Sequence, residues 1–308
     1  NPLNIGGVLV SNATLHNEDE IKRKDIRIGD TVTVERAGDV IPHIISVDLK
    51  NRENDSKKFV FPNKCPSCGS ITVKEFNLTT KKKDAVRRCS SEGYECEKMS
   101  IEKIKHFVSK EALNIDGFGK KIVENFWKKN LIRLPQDIFN LDYKKIENMD
   151  GWGKQSISNL KYSIDLRKNI SFERFIYALG IRHIGLENAK LLSRFLKNKK
   201  RFLGLSKVNN LEELLNIDGI GETQIKSMKN FFKNNTNLKV LSDLEKILVI
   251  RDSVEFKKDG LLKDKTFMIT GKLEGMSRAE AKSLIEQNSG SIISNVSKKL
   301  DYLIQGTK

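Results

Sequence analysis

Apolar residues fall at helical spacing over the middle of this chain, and glycine interrupts them at near-regular intervals. Ile122, Val123 and Phe126 form one such run, and Ile157, Leu160 and Ile164 a second. Leu191, Leu192 and Phe195 form a third, and Ile225, Met228, Phe231 and Phe232 a fourth. A short string precedes each run. Asn114-Ile115-Asp116-Gly117-Phe118-Gly119 returns as Asn148-Met149-Asp150-Gly151-Trp152-Gly153 and as Asn216-Ile217-Asp218-Gly219-Ile220-Gly221. Ile181-Arg182-His183-Ile184-Gly185 keeps the last glycine and puts His183 where the others have the first. The last glycines recur at intervals of 34, 32 and 36 residues, a period of stacked supersecondary units. The pattern predicts four helix-hairpin-helix units over residues 101–236, with Pro135 marking a connection between units.

Period-two patterns flank this array. Ile5-Gly6-Gly7-Val8-Leu9-Val10 reads as a short strand, Thr31-Val32-Thr33-Val34-Glu35-Arg36 alternates, and residues 41–47 read as a strand after the Gly38-Asp39 turn. Short strands with glycine turns predict a small β-barrel of the oligonucleotide-binding kind over residues 1–62. After the hairpins the periodicity weakens, and residues 237–262 read as a polar linker. Over residues 263–308, Thr266-Phe267-Met268-Ile269-Thr270-Gly271 reads as a strand, and Ser277 and Glu280 form a capping box. A helix follows that ends at Gly290, and then two short strands at residues 291–293 and 302–304. The expected fold class is multidomain: a small β-barrel, a cysteine ribbon, an all-α hairpin array and a partial α/β unit.

Charge narrows the function. The 308 residues carry 56 Lys+Arg against 40 Asp+Glu, a formal net charge of +16. Spread along the chain, that excess points to a polyanionic partner. No apolar run approaches a membrane span and no signal-peptide pattern opens the chain, so a cytoplasmic location is expected. The start at Asn1-Pro2, followed directly by a strand pattern, suggests that the chain continues upstream.

The hairpins supply a chemistry for that partner. Glycine permits positive φ and close approach of another molecule. The following helix begins with free N–H groups and the positive end of its dipole, which suits an anion. A row of such turns fits a nucleic-acid backbone, where phosphate contacts position a protein without reading sequence. The candidate contacts are Gly119, Lys120, Lys121, Gly153, Lys154, Gly185 and Gly221. Glu187 and Glu222 follow the last two hairpins, which are expected to bind more weakly or to serve packing. A Gly-x-Gly can also be no more than a tight corner between helices; four copies in a basic chain favour backbone binding.

The four cysteines, Cys65, Cys68, Cys89 and Cys96, lie in residues 63–100 as Cys-x2-Cys, twenty residues, then Cys-x6-Cys. Thiolates at this spacing converge on one tetrahedral Zn²⁺ with every position filled, a structural site. Two disulfides would suit an exported protein, and an iron–sulfur cluster is the other alternative. Lys81, Lys82, Lys83, Arg87 and Arg88 give this ribbon a basic face.

Longer strings carry a family resemblance. Val10-Ser11-Asn12-Ala13-Thr14-Leu15-His16-Asn17, Arg27-Ile28-Gly29-Asp30 and Arg36-Ala37-Gly38-Asp39-Val40-Ile41-Pro42 resemble the oligonucleotide-binding domain of bacterial NAD-dependent DNA ligases. Phe107-Val108-Ser109-Lys110 and the stretch from Arg174 to Gly185 are similar to the same family's later segments, as is a four-cysteine ribbon between barrel and hairpins. The Cys89–Cys96 gap is longer than that family usually has. The closing strand-helix-strand-strand order resembles the first half of a BRCT domain, with its later strand and helix missing. The resemblance implies that Arg36, Val40 and Ile41 face DNA near a nick, and that the hairpins grip the minor-groove side of nicked duplex. It implies that Thr270, Gly271 and Lys299 match a BRCT phosphate pocket, with structural roles the alternative. His16 is read as a turn or packing histidine, and Phe118 and Trp152 as packing residues.

In that family a lysine takes AMP from NAD, AMP passes to the 5′-phosphate of the nick, and the 3′-hydroxyl displaces it with Mg²⁺ or Mn²⁺ present. Lys257-Lys258-Asp259-Gly260 matches the Lys-x-Asp-Gly string of that lysine, but it stands among charges after the DNA-binding modules, without a nucleotide pocket. It is read as a chance match, so no catalytic residue is expected in these residues and the adenylation domain is expected upstream. The expected role is to hold and align nicked DNA for sealing in replication and repair, as a monomer in the bacterial nucleoid, with the BRCT half open to protein partners. A non-enzymatic repair adaptor built from the same modules is the alternative.

Overall fold

A computed structural model of the chain describes all residues except 1, 6, 36–40, 78–80, 208–210, 254–259, 272, 277, 294, 295, 297–299 and 308. It divides into two units, Asn1–Glu97 and Lys98–Lys308.

In the first unit, β1 (Leu3–Ile5) and β2 (Val8–Val10) pair antiparallel. The predicted single strand is therefore two, reversed through Gly7 at φ +79°. Helix α1 (Glu18–Arg23) is capped by Asn17, whose side chain accepts the Glu20 N–H. Then β3 (Val32–Glu35) pairs antiparallel with β4 (His43–Val47), with an irregular register between Thr33 and Val34. Arg52 clasps this part together: its guanidinium meets Asp30 Oδ1 and Oδ2 at 2.8 Å each and Asp25 Oδ2 at 2.7 Å. The ribbon follows, with β5 (Thr72–Asn77) antiparallel to β6 (Lys82–Cys89).

Glu18 joins α1 to the ribbon. Its side chain is 3% exposed and lies 3.0 Å from Arg87 Nε, 2.6 Å from Lys22 Nζ and 3.5 Å from Lys74 Nζ. The Arg87 and Lys22 hydrogen bonds, opposed by burial, hold its carboxyl down to about 2.

The second unit is mainly helical: α2 (Glu97–Phe107), α3 (Lys120–Lys128), α4 (Tyr143–Glu147), α5 (Lys154–Leu166), a short strand β7 (Asn169–Ser171), α6 (Phe172–Ala178), α7 (Leu186–Leu196), α8 (Lys199–Gly204) and α9 (Glu222–Lys233). Phe107, Phe118, Phe126, Phe172, Phe175 and Phe202 are fully buried and fill its core. Arg174, 9% exposed, crosses this core and donates from Nε to Ala112 O at 2.8 Å and from Nη2 to Lys110 O at 3.0 Å. It thereby fixes the segment leading into the first hairpin.

The predicted linker is a correction. Residues 237–262 contain most of α10 (Asn235–Ile247) and β8 (Val249–Arg251). Val240, Leu241 and Leu244 are buried, and β8 pairs parallel with β7. Three apolar positions on one face of a polar helix suffice once a core is there to receive them.

The remaining elements are β9 (Thr266–Thr270), α11 (Arg278–Gln287), β10 (Ser291–Ile292) and β11 (Tyr302–Gln305). They form a three-stranded parallel sheet in the order β10-β9-β11. The predicted strand-helix-strand-strand order is observed. Ser277 of the expected capping box lies outside the described residues. At the helix end it is Ser289 that takes positive φ, at +68°, while Gly290 fits because a Cβ there would lie 2.6 Å from Ile285 Cγ2.

Candidate functional site

Each Gly-apolar-Gly string folds as a four-residue turn. Phe118 N–H donates to Ile115 O, Trp152 to Met149 O, Ile184 to Ile181 O and Ile220 to Ile217 O, at 3.0–3.2 Å. The third residue of each turn has positive φ: Gly117 +77°, Gly151 +82°, His183 +60° and Gly219 +90°. Turns of this kind require left-handed backbone there, which explains the glycines and makes His183 a tolerated exception. The residue between the glycines points inward. Phe118, Ile184 and Ile220 are 2–5% exposed, Trp152 is half-buried, and the Phe118 and Trp152 rings lie 5.5 Å and 5.4 Å from Phe126. The expected packing roles of Phe118 and Trp152 match this geometry.

The last glycines have a different task. Gly119, Gly153, Gly185 and Gly221 are the N-caps of α3, α5, α7 and α9, in extended backbone that any residue can adopt. A Cβ at Gly119, Gly153 or Gly185 would meet nothing within 4 Å. All three are exposed, as are Lys120, Lys121 and Lys154 beside them. Neither the turn nor the core therefore requires glycine at these three caps. The open space lies at helix N-termini, where unpaired amides and the helix dipole favour an anion.

The fourth hairpin departs from this. Gly221 N–H donates to Gln224 Oε1 at 3.1 Å, and a Cβ at Gly219 would sit 3.0 Å from Leu191 Cδ1 of α7. Gly219 therefore serves the packing of the fourth hairpin against the third, while the Gly221 N–H is already paired within its own helix. Glu187 pairs with Lys190 at 3.0 Å, which holds its carboxyl below the usual range.

The four cysteines meet in the first unit. Their sulfur atoms all lie within 4.8 Å of one another, with Cys65–Cys96 at 3.9 Å and Cys68–Cys89 at 3.4 Å. The Cys65–Cys68 turn is closed by Gly69 N–H to Cys65 O at 2.9 Å and Cys65 N–H to Ser70 O at 2.7 Å. Four thiolates at about 2.3 Å from one ion stand about 3.8 Å apart, so the cluster fits tetrahedral Zn²⁺. Hydrogen bonds with Ser70 and Ser91 bring the Cys68 thiol down to about 5, toward the thiolate a metal requires, while burial pushes Cys89 up.

Other sequence-predicted positions are less gathered. Ile41 is described and 63% exposed, just before β4; Arg36 and Val40 lie outside the described residues. His16 takes φ +58° and its N–H reaches Thr14 Oγ1 at 3.1 Å, in agreement with a turn role. Lys299 of the expected phosphate pocket lies outside the described residues, as does Lys257. Thr270 O accepts the Gly306 N–H at 2.8 Å, and a Cβ at Gly271 would lie 2.4 Å from Gly306 O. Gly271 thus has a packing reason of its own. No described helix is long and apolar enough to cross a membrane.

Three family models match the chain. The NAD-dependent DNA ligase OB-fold domain matches residues 1–56, the helix-hairpin-helix motif residues 174–241, and the BRCA1 C Terminus (BRCT) domain residues 257–308. A DNA ligase of Pelagibacter ubique is 72% identical over 307 residues, covering 100% of this chain and 45% of that protein. DNA ligases of Rickettsia bellii and Wolbachia pipientis are each 44% identical, covering 99% of this chain and 45% and 46% of those proteins. The chain therefore spans less than half the length of the curated relatives it matches. With these domains in this order and DNA ligases matched along 99–100% of this chain, the chain corresponds to a C-terminal portion of an NAD-dependent DNA ligase.

Proposed function

We propose that these residues hold and align nicked duplex DNA for an NAD-dependent ligase that joins a 3′-hydroxyl to a 5′-phosphate in bacterial replication and repair. The observation that carries the reading is the open, exposed space at the Gly119, Gly153 and Gly185 caps. There a DNA phosphate can reach helix N-terminal amides, with Lys120, Lys121 and Lys154 adding charge. Gly221 belongs to the same row, but its N–H is already taken by Gln224 Oε1. Arg36, Val40 and Ile41 are assigned to the DNA side of the OB-fold domain through family likeness.

Holding two strand ends in register is a catalytic contribution through positioning. The nucleotidyl lysine, NAD and the Mg²⁺ or Mn²⁺ of strand joining belong to the complete enzyme, and no residue here is assigned to them. Cys65, Cys68, Cys89 and Cys96 hold a structural Zn²⁺ that fixes the ribbon. Thr270, Gly271 and Lys299 remain candidates for a phosphate contact of the BRCT domain, through which protein partners could bind. The protein acts as a monomer in the cytoplasm, at the nucleoid. A non-enzymatic adaptor has no observation in its favour beyond the shared modules.

The test is fluorescence anisotropy with a nicked duplex across a salt series. Binding at low salt that weakens linearly on a log–log plot supports phosphate contact. No binding to nicked duplex at low salt contradicts it.

A further inference from the structure

Between α11 and the α6–α7 corner lies a cleft of about 260 Å³, whose lining includes Leu186, next to the Gly185 cap, but none of the hairpin glycines. Its lining holds six Lys or Arg residues against three glutamates. Two ion pairs bracket it loosely: Lys190 Nζ lies 3.9 Å from Glu286 Oε2, and Lys282 Nζ lies 3.8 Å from Glu286 Oε1. One carboxylate is thus shared between two ammonium groups, although Lys190 also pairs with Glu187 at 3.0 Å; the surplus of positive charge comes from the lining as a whole.

The floor carries the independent sign. Ser193 on α7 lines the cleft, is 1% exposed, and its Oγ has no hydrogen-bond partner among the described residues. A buried hydroxyl without a partner is unfavourable by itself and is rare in folded proteins. A hydroxyl donor in a lining with more cations than carboxylates suits an oxyanion, and a phosphate oxygen is the strong acceptor of that kind. Thr270 and Gly271 do not line this cleft, although Arg278, which does, donates from Nε to Gly271 O at 2.7 Å.

We infer that this cleft binds a phosphate group, which satisfies Ser193 Oγ and bridges Lys190 on α7 to Lys282 on α11. The phosphate can be a free phosphoanion or one borne on a DNA strand; the chemistry is shared and the two are separable. The inference is independent of DNA binding at the hairpins, and its test leaves the hairpin glycines untouched.

The experiment is thermal unfolding of the full 308-residue chain in inorganic phosphate or pyrophosphate, against chloride at matched ionic strength. A bound anion should raise the melting temperature by roughly 2–4 °C when present well above its dissociation constant. Ser193→Ala removes an unpartnered hydroxyl, so on packing grounds alone it should fold as well as the parent or better. The inference requires that it nevertheless lose most of the phosphate-specific rise, and that Lys282→Gln do the same. Nicked-duplex affinity then identifies the source. A several-fold loss in Ser193→Ala assigns the phosphate to DNA, and unchanged DNA affinity assigns it to a free phosphoanion. A phosphate effect no larger than that of chloride, or equal in parent and Ser193→Ala, overturns the inference.

Discussion

Gly221 N–H donates to Gln224 Oε1 at 3.1 Å, so the cap of α9 is closed from within its own helix. The fourth hairpin therefore keeps the string of the first two while using it differently. Gly221→Ala should change nicked-duplex affinity by no more than about twofold, the range of a near-neutral surface change. Gly219→Ala should instead lower stability, because its φ of +90° and the Leu191 Cδ1 atom at 3.0 Å both oppose a side chain. Anisotropy and denaturant melts on the two variants separate binding from packing.

Trp152 couples the first two hairpins through its contact with Phe126, ring centroids 5.4 Å apart. Trp152→Ala should destabilise the second unit by about 2–3 kcal/mol, below the cost of a fully buried tryptophan because this one is half-buried. Chemical denaturation followed by far-UV circular dichroism reads this directly. A change under about 0.5 kcal/mol would show that the hairpins are not packed as a pair.

Glu18 gives the first unit an acid-sensitive joint. Its folded carboxyl is held down to about 2 against an ordinary value of 4.5, chiefly by Arg87. A depressed carboxyl contributes stability that is complete above about pH 4.5 and is lost as pH falls toward 2. Glu18→Gln should therefore be destabilised by about 3 kcal/mol at neutral pH, with the gap to the parent closing between pH 4.5 and 2. Parallel melts across that range test it; a gap independent of pH would rule out the charge as the cause.

Removal of metal should act locally. About one Zn²⁺ per chain is expected by elemental analysis, and Cys96→Ser, at the buried cysteine, should abolish it. Proteolysis of the chelated protein should cut within residues 63–97 while the helical signal of the second unit persists. Full occupancy in Cys96→Ser would remove that residue from the ligand set.

The parts legible in the sequence were those written by local geometry. A left-handed turn position demands glycine, and a four-thiolate cluster demands close cysteine pairs; both leave marks at fixed short spacing. The mark for His183 was legible too, as the one substitution for a first glycine. What could not be read depends on distant partners. Helix α10 shows a polar surface with three buried positions, and β8 finds β7 far back in the sequence. Glu18 and Arg174 look like surface charges until Arg87 and the carbonyls of Ala112 and Lys110 close on them. The division of labour between first and second glycines was also hidden, since only backbone angles distinguish a turn position from a cap.

The most direct measurement is the nicked-duplex affinity of Gly153→Val at fixed low salt, with zinc content and unfolding recorded on the same preparation. Gly153 has ordinary extended backbone and open space around its Cβ, so the variant should fold and keep its metal. Affinity should fall about tenfold or more, the loss of a charge-assisted hydrogen bond to phosphate. A folded, zinc-loaded variant with unchanged affinity would contradict it.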